Sequence, residues 1–407
     1  MDTKLTAEFF RGNRERLREL FTGRAPIVLT AAGLLQKSTD TPYPFFQDGN
    51  FWYLTGIDEP NIVLVMDKGK EYLIVPELSA SREAFDGALP LEAMAKISGV
   101  SEVLTEKEGW KRLGSRIKRV NSVAVLPAAN SYIDALGMYT NSARRRLVRE
   151  IKHFNSEITL LDLRLHLQRM RMVKQPGELQ AIQRAVDATV DSLKFIEKKF
   201  YAGKYTNEFE IEHDLTKQFW KNNASGHSFE PIVAAGSKAT TIHPTGNTGP
   251  VSPTGQLLMD VGASYDHYAA DISRTWMVEP SKQFISVRSA VVEVADYAMS
   301  LLKPGVVLRA YEQDIEQFMG EKLRELGLIK TIEHDSVRQY FPHSTSHFLG
   351  IDVHDVGDYD HPLEPGVILT VEPGIYIPDD GIGVRVEDDV LITETGCTNL
   401  SAKLERN

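Results

Sequence analysis

Leu179, Ile182, Val186, Val190 and Leu193 recur at helical intervals behind Lys174-Gln175-Pro176-Gly177-Glu178, so the pattern breaks and restarts there as a helix with Pro176 in its first turn. Residues 158–171, just ahead, also have a helical pattern, and the restart sets a domain boundary. N-terminal to it, short β-branched runs at Ile62–Met66, Tyr72–Val75 and Val123–Leu126 alternate with helical stretches, beginning with an amphipathic segment at residues 1–20. Such alternation predicts a mixed α/β domain. The stretch YPFFQDGNFWYLTGIDEP, residues 43–60, sets six aromatics among turn residues and reads as a strand and loop unit. Aromatics are more often buried than used, so a domain core is the expectation and an interface the alternative. The chain thus divides into an α/β domain at 1–157, a helical linker at 158–175 and a second domain at 176–407, with no repeat of solenoid period.

The second domain changes period. GQLLMDVGASYDHYAADISRTWMV, residues 255–278, reads as two strands joined by a loop containing Tyr265–Ala270, with Asp260 near the end of the first and Asp271 at the start of the second. GVILTVEPGIYIPDDGIGVRVEDDVLIT, residues 366–393, repeats the arrangement, with Glu372 after an apolar run, then Gly374 and Tyr376, then Glu387 in a second strand. Two hairpin-like units that each supply two acids predict a core with approximate internal two-fold symmetry and four converging carboxylates. Alternation puts Ile382, Val384 and Val386 on one side and Gly383, Arg385 and Glu387 on the other. Alone, Arg385 and Glu387 would read as a solvated edge. Beside three other acids in apolar strands they do not, because clustered buried carboxylates repel one another and are costly without a cation.

HSTSHFLGIDVHDVG, residues 343–357, contains His343, His347 and His354. It lacks the glutamate of an HExxH zinc helix, so its meaning depends on the carboxylates brought to it. Hard oxygens with one imidazole suit divalent manganese, cobalt, iron or zinc, and a two-ion site spans about 3.5–4 Å with bridging carboxylates and a bridging water. Asp260, Asp271, Glu372 and Glu387 supply the oxygens, and one histidine of this stretch the nitrogen.

Composition narrows the setting. A chain of 407 residues, 42% hydrophobic and 25% charged, has room for two or three globular domains. Its net charge of -10 opposes nucleic-acid binding, and the one basic cluster, Arg144–Arg146 with Arg149 and Lys152, reads as a solvated helix face. No apolar run reaches the roughly 18 residues of a membrane span. The N-terminal segment has no signal-peptide pattern, and the single Cys397 cannot form an internal disulfide. Cytoplasm is the expected location.

These motifs together resemble the pita-bread metallopeptidases, and within them the aminopeptidase P (Xaa-Pro aminopeptidase) family. YPFFQDGNFWYLTG resembles that family's N-terminal domain motif, and Arg171–Leu179 its RxxKxPxEL junction. MDVGASYDHYAADISRT is similar to the two-aspartate hairpin, HSTSHFLGIDVHDVG to the histidine loop, and TVEPGIY and GIGVRVEDD to the two glutamate strands. The resemblance implies an α/β (α+β) chain, with a creatinase-like N-terminal domain and a C-terminal pita-bread domain of internal pseudo-two-fold symmetry. It implies two divalent ions, manganese first and cobalt, zinc or iron as alternatives, held by Asp260, Asp271, His347, Glu372 and Glu387, with Asp271 and Glu387 bridging. A hydroxide bridging the ions would attack the bond between any N-terminal residue and a following proline. Glu372 would carry its proton to the leaving nitrogen. His354 and the distant His243, in TTIHPTGN, would hold substrate and transition state, Arg385 would orient Glu387, and Asp260 would lie near the substrate's amino terminus. Partners would be peptides with proline second and further copies of the chain in a homodimer or higher homo-oligomer, with no nucleic acid and no membrane.

Relatives often carry arginine where this chain has Phe46 and some offer tyrosine at Phe229, so neither residue is assigned a role. His343 lies near the site by likeness, with plain hydrogen bonding as its alternative. An Xaa-Pro dipeptidase (prolidase) would use the same ligands. A non-catalytic pita-bread module of the histone-chaperone type would not need all five, and methionine aminopeptidases usually lack so large an N-terminal domain.

Overall fold

The computed structural model describes residues 5–406 apart from 88, 129–132 and 134–135, so residues 1–4 of the expected amphipathic segment lie outside the described residues. The remainder of that segment is helical at Ala7–Leu20. The chain divides into one compact unit of Lys4–Met170 and another whose main part is Arg171–Asn407, a break inside the segment 158–175.

In the first unit the apolar runs become β1 (Ile27–Thr30), β2 (Val63–Asp67), β3 (Lys70–Val75), β4 (Glu102–Thr105), β5 (Ser122–Val125) and β6 (Thr159–Asp162). They form one sheet in the order β4-β3-β2-β1-β5-β6, antiparallel at β1/β2 and β2/β3 and parallel elsewhere. Leu113, Ile117, Leu147 and Ile151, from two helices, share a core with Val63, Tyr72, Ile74, Val123 and Val125 of the sheet. Leu147 and Ile151 are the buried stripe of helix Ala143–Phe154, which leaves Arg145, Arg146, Arg149 and Lys152 exposed, a solvated basic face.

Two local expectations about the N-terminal half are corrected. Gly49–Thr55, in the aromatic stretch, is a helix and not a strand. Asp48 caps it by accepting from the N–H groups of Asn50 at 3.0 Å and Phe51 at 3.1 Å, and Gly56 ends it at φ 67°. Its Phe51, Trp52, Tyr53 and Leu54 are buried, as the core expectation requires, whereas Tyr43 and Phe46 ahead of it are exposed. The second correction concerns residues 158–171, where only Arg164 onward is helical. Thr159–Asp162 is drawn into parallel register with Ser122–Val125, and sheet pairing overrides the local pattern.

The second unit opens with the helix Pro176–Tyr201, whose Pro176 lies in the first turn and whose Gln175 and Glu178 form a capping box. A second helix, Glu208–Lys221, leads into β7 (Gly226–His227), β8 (Ile232–Ala235), β9 (Gln256–Val261), β10 (Ala263–Tyr265), β11 (Tyr268–Ala269) and β12 (Ile272–Met277). Two further long helices, Lys282–Leu301 and Leu308–Glu325, and the short His334–Arg338 precede β13 (Ile368–Val371), β14 (Gly374–Ile377), β15 (Ile382–Arg385), β16 (Asp388–Ile392) and β17 (Cys397–Asn399). The order of two long helices, an outer strand, an inserted hairpin and a return strand thus occurs twice. The sheets β12-β9-β8 and β13-β16-β17 are correspondingly both three-stranded and antiparallel. The loop expected at Tyr265–Ala270 is instead a tight hairpin, β10 with β11, turned by Asp266 and His267 at φ 47° and 69°.

Candidate metal centre

Each sheet of the second unit delivers its acids at corresponding places. Asp260 lies opposite Ser273 in the β9/β12 ladder, and Asp271 immediately precedes β12. Glu372 and Glu387 stand one step beyond the last β13/β16 pair, Val371 with Asp388. The backbone is tight here: a Cβ on Gly262 would stand 1.7 Å from the Ala270 carbonyl oxygen, so only glycine lets the β10/β11 hairpin fold back beside Asp271.

The histidine stretch meets these acids. His347 Nε2 lies 3.5 Å from Asp271 Oδ2 and 3.5 Å from Glu372 Oε1, and Asp271, His347 and Glu387 each offer a ligand atom within 4.8 Å of the others'. The Nδ1 of His347 is 3.0 Å from the Phe348 carbonyl, so its N–H donates there and Nε2 keeps its lone pair toward the acids. Backbone bonds fix the segment that carries it: Thr370 N–H donates to the His347 carbonyl at 3.0 Å, and Glu372 N–H to the Thr345 carbonyl at 2.8 Å.

Arg385 ends β15 and Glu387 lies in the break before β16 rather than further along one strand, yet both reach the Ser273 hydroxyl and each is 1% exposed, which overturns the solvated-edge alternative. Arg385 donates to Asp260 Oδ2 at 2.6 Å, to the Tyr376 hydroxyl at 2.7 Å and to Ser273 Oγ at 2.9 Å. The Ser273 hydroxyl in turn donates to Glu387 Oε2 at 2.6 Å. One guanidinium therefore serves the set, and it does not suffice. Burial and then the repulsion of the neighbouring acids push the carboxyls of Asp271 and Glu387 well above the usual carboxylate range. Burial also raises Glu372 to about 7, against the pull of His347 and Arg385. Asp260 Oδ1 and Asp271 Oδ1 are buried with no hydrogen-bond partner. Orphaned hard oxygens converging on one imidazole fit divalent cations, which would satisfy those lone pairs and relieve the repulsion.

The other two expected histidines lie at the exposed edge of the site. The His354 ring stands 4.3 Å from that of His347, centroid to centroid. Desolvation first, with the neighbouring His347 and His243 rings acting in the same direction, pushes His354 down to about 4, so its imidazole is neutral near pH 7. His243 follows the short 3-10 turn Gly236–Thr240 and is near enough to act electrostatically on both His343 and His354. The segment on either side of it is clamped by Glu208, buried and bonded to Lys238 Nζ at 2.6 Å and to the Gly249 N–H at 2.8 Å.

His343, left without a role by the sequence, is part of the cluster. Its Nδ1–H donates to the Ser344 carbonyl at 2.9 Å, Nε2 accepts from the Tyr376 hydroxyl at 2.9 Å, and Nδ1 lies 3.7 Å from Glu372 Oε2. Burial, then Arg385, pushes it to about 3. Ser273 and Glu312 carried no local signal at all, and Tyr376 stood out only as part of the repeated hairpin pattern. Glu312, on the helix Leu308–Glu325, accepts the N–H groups of Thr345 at 2.9 Å and Ser346 at 3.0 Å and so holds the backbone ahead of His347. Phe229 is half-buried in the bend between β7 and β8, and Phe46 is 70% exposed; nothing in the structure gives either a role.

Comparison with known proteins follows the same lines. Residues 180–394 match the model of metallopeptidase family M24, and residues 10–126 that of the aminopeptidase P N-terminal domain. The Xaa-Pro aminopeptidase of Escherichia coli is 30% identical, with 99% of this chain and 96% of the relative covered. Human Xaa-Pro aminopeptidase 3 is 31% identical over 92% of this chain and 78% of its own. Among solved structures, E. coli aminopeptidase P with the inhibitor Pro-Leu superposes with a TM-score of 0.85 at 28% identity, covering 99% of this chain and 97% of the other. Proline aminopeptidase P II from Yersinia pestis gives 0.84 at 28% identity, covering 99% and 98%. The expected fold class is thereby met, with an N-terminal domain ahead of a pita-bread domain. The chain belongs to metallopeptidase family M24, a family of metal-dependent enzymes, and carries the N-terminal domain of its aminopeptidase P members.

Proposed function

We propose that this enzyme removes the N-terminal residue from peptides with proline in second position, in a catalytic domain at 176–407 behind an N-terminal domain at 1–157. The observation that carries the reading is the convergence of buried carboxylates and His347 without enough basic charge to balance them. Asp260, Asp271, His347, Glu372 and Glu387 would hold two divalent ions, manganese first. Such a pair, when bound, lowers the pKa of a shared water toward neutrality and polarises the scissile carbonyl.

The side chains then divide the work. Glu372 takes the attacking water's proton and delivers it to the prolyl nitrogen, a tertiary amide nitrogen that cannot leave without one. Neutral His354 donates its N–H to the tetrahedral oxyanion. His243 contacts the peptide backbone after the cut bond, and Asp260 receives the free amino terminus. Arg385, through its bonds to Asp260 and Ser273, holds Asp260 and Glu387 in place. The same proposal places the enzyme in the cytoplasm as a homodimer or higher homo-oligomer; among the described residues no helix is long and apolar enough to cross a membrane.

Tripeptides that differ only in the second residue test it. Release of the first amino acid should be fast from Xaa-Pro-Yaa and nearly absent from Xaa-Ala-Yaa, because the proline ring fits where an ordinary amide hydrogen has no acceptor. Comparable kcat/KM for the two would refute the assignment. Turnover of free Xaa-Pro dipeptides alone would make the enzyme a dipeptidase.

A further inference from the structure

The junction Arg171–Glu178 takes no part in the reaction just described, yet it holds an unusual concentration of buried charge. The side chains of Arg171, Lys174 and Asp355 are each 1% exposed. Lys174 Nζ donates to Asp355 Oδ2 at 3.1 Å and to the Arg171 carbonyl at 2.7 Å. Arg171 donates to Asp355 Oδ1 and, at 2.8 Å, to Asp352 Oδ2. Asp355 directly follows His354, and its own N–H donates to the Phe348 carbonyl at 2.8 Å, closing the loop that leaves His347. A Cβ on Gly350 would stand 2.0 Å from Asp355 Oδ2 and 3.0 Å from Lys174 Nζ, so this loop is wrapped around the ion cluster.

The anchor is itself fixed. Lys174 N–H donates to the Gly366 carbonyl at 2.9 Å, and buried Glu178 accepts from the Tyr268 hydroxyl at 2.9 Å in the hairpin between Asp260 and Asp271. Buried ion pairs contribute little net stability compared with apolar packing of the same volume, so stability does not account for the cluster. Placement does: His354 is exposed, its ring has no side-chain hydrogen bond among the described residues, and it is followed in the chain by a carboxylate gripped from two sides.

We propose that Arg171, Lys174 and Asp355 are positioning residues that set His354 toward the reacting carbonyl. The inference rests on the oxyanion role given to His354 above. Charges at the cluster do not touch substrate; they fix the backbone from which the imidazole projects, as outer partners fix ligands elsewhere.

A double-mutant cycle on an Xaa-Pro-Yaa tripeptide tests it, with Asp355→Asn, His354→Ala and the pair, each checked for metal content and melting temperature. His354→Ala should lower kcat about 10²- to 10³-fold. Asp355→Asn should lower kcat about 10- to 100-fold with KM and metal content held, and should lower it less than about two-fold once His354 is gone. Equal losses in both backgrounds, or an unchanged kcat in Asp355→Asn, would overturn the inference while leaving the reading of the site intact. Full kcat in His354→Ala would remove both. If Asp355→Asn does not fold, Lys174→Met with Asp355→Asn, which leaves neither of that pair charged, goes through the same cycle with the same expected outcomes.

Discussion

Both units of this chain bury carboxylates, and they treat them in opposite ways. In the N-terminal unit Glu71 faces Arg14 at 3.0 and 2.7 Å and Arg18 at 2.6 Å; burial alone would raise its carboxyl, but the two guanidiniums hold it below the usual range. In the second unit Asp271 and Glu387 are buried among other acids and are pushed well above that range. The contrast recurs between sequence neighbours. Asp388, bonded to Arg274 at 2.7 Å and Arg406 at 2.7 Å, is held low in spite of burial, whereas Glu387, one residue earlier, is not. A fold able to pair Glu71 and Asp388 so fully leaves its central acids under-neutralised for a reason, and a divalent cation is that reason.

The largest expected effect breaks the unbalanced side of this contrast. Glu387→Gln should weaken metal binding and reduce kcat/KM by at least about 10³-fold, since ion-borne charge stabilisation amounts to several kcal/mol. Metal analysis alongside the kinetics checks the cause. Next comes the balanced side: Glu71→Gln leaves Arg14 buried without its charge partner and should cost about 3–5 kcal/mol in denaturant unfolding, with the metal content of folded protein unchanged. Ser273→Ala should be milder, about tenfold in kcat/KM, because the hydroxyl links Arg385 to Glu387 without touching substrate.

The smallest effect is a pH dependence. In metal-stripped protein the Glu372 carboxyl stands at about 7 against an ordinary 4.5, so it holds its proton more tightly folded than unfolded. Its contribution is therefore fully present below about 4.5 and is lost as pH rises through about 7, the opposite of a paired acid. Thermal melts of the stripped protein should fall across that window. Manganese should abolish the fall.

The carboxylates were legible in the sequence because an acid inside an apolar run such as LLMDV has few inexpensive explanations, and two such runs recur with the same layout. The helix start at Pro176 was legible because helix starts are local. The helix Gly49–Thr55 was not, since aromatic content suggests a strand and only the Asp48 cap and left-handed Gly56 decide otherwise. Neither were the contacts of His343, Ser273, Glu312 and Asp355. Their partners stand 33, 114, 33 and 181 or more residues away, so their meaning exists only after folding.

Titration of the chelator-stripped enzyme with manganese, followed by both calorimetry and peptide turnover, tests the central claim most directly. The account predicts two ions per chain, release of protons on binding from acids whose carboxyls stand high in the stripped protein, and recovery of Xaa-Pro-Yaa hydrolysis in step with occupancy. Undiminished hydrolysis by the stripped enzyme would contradict it.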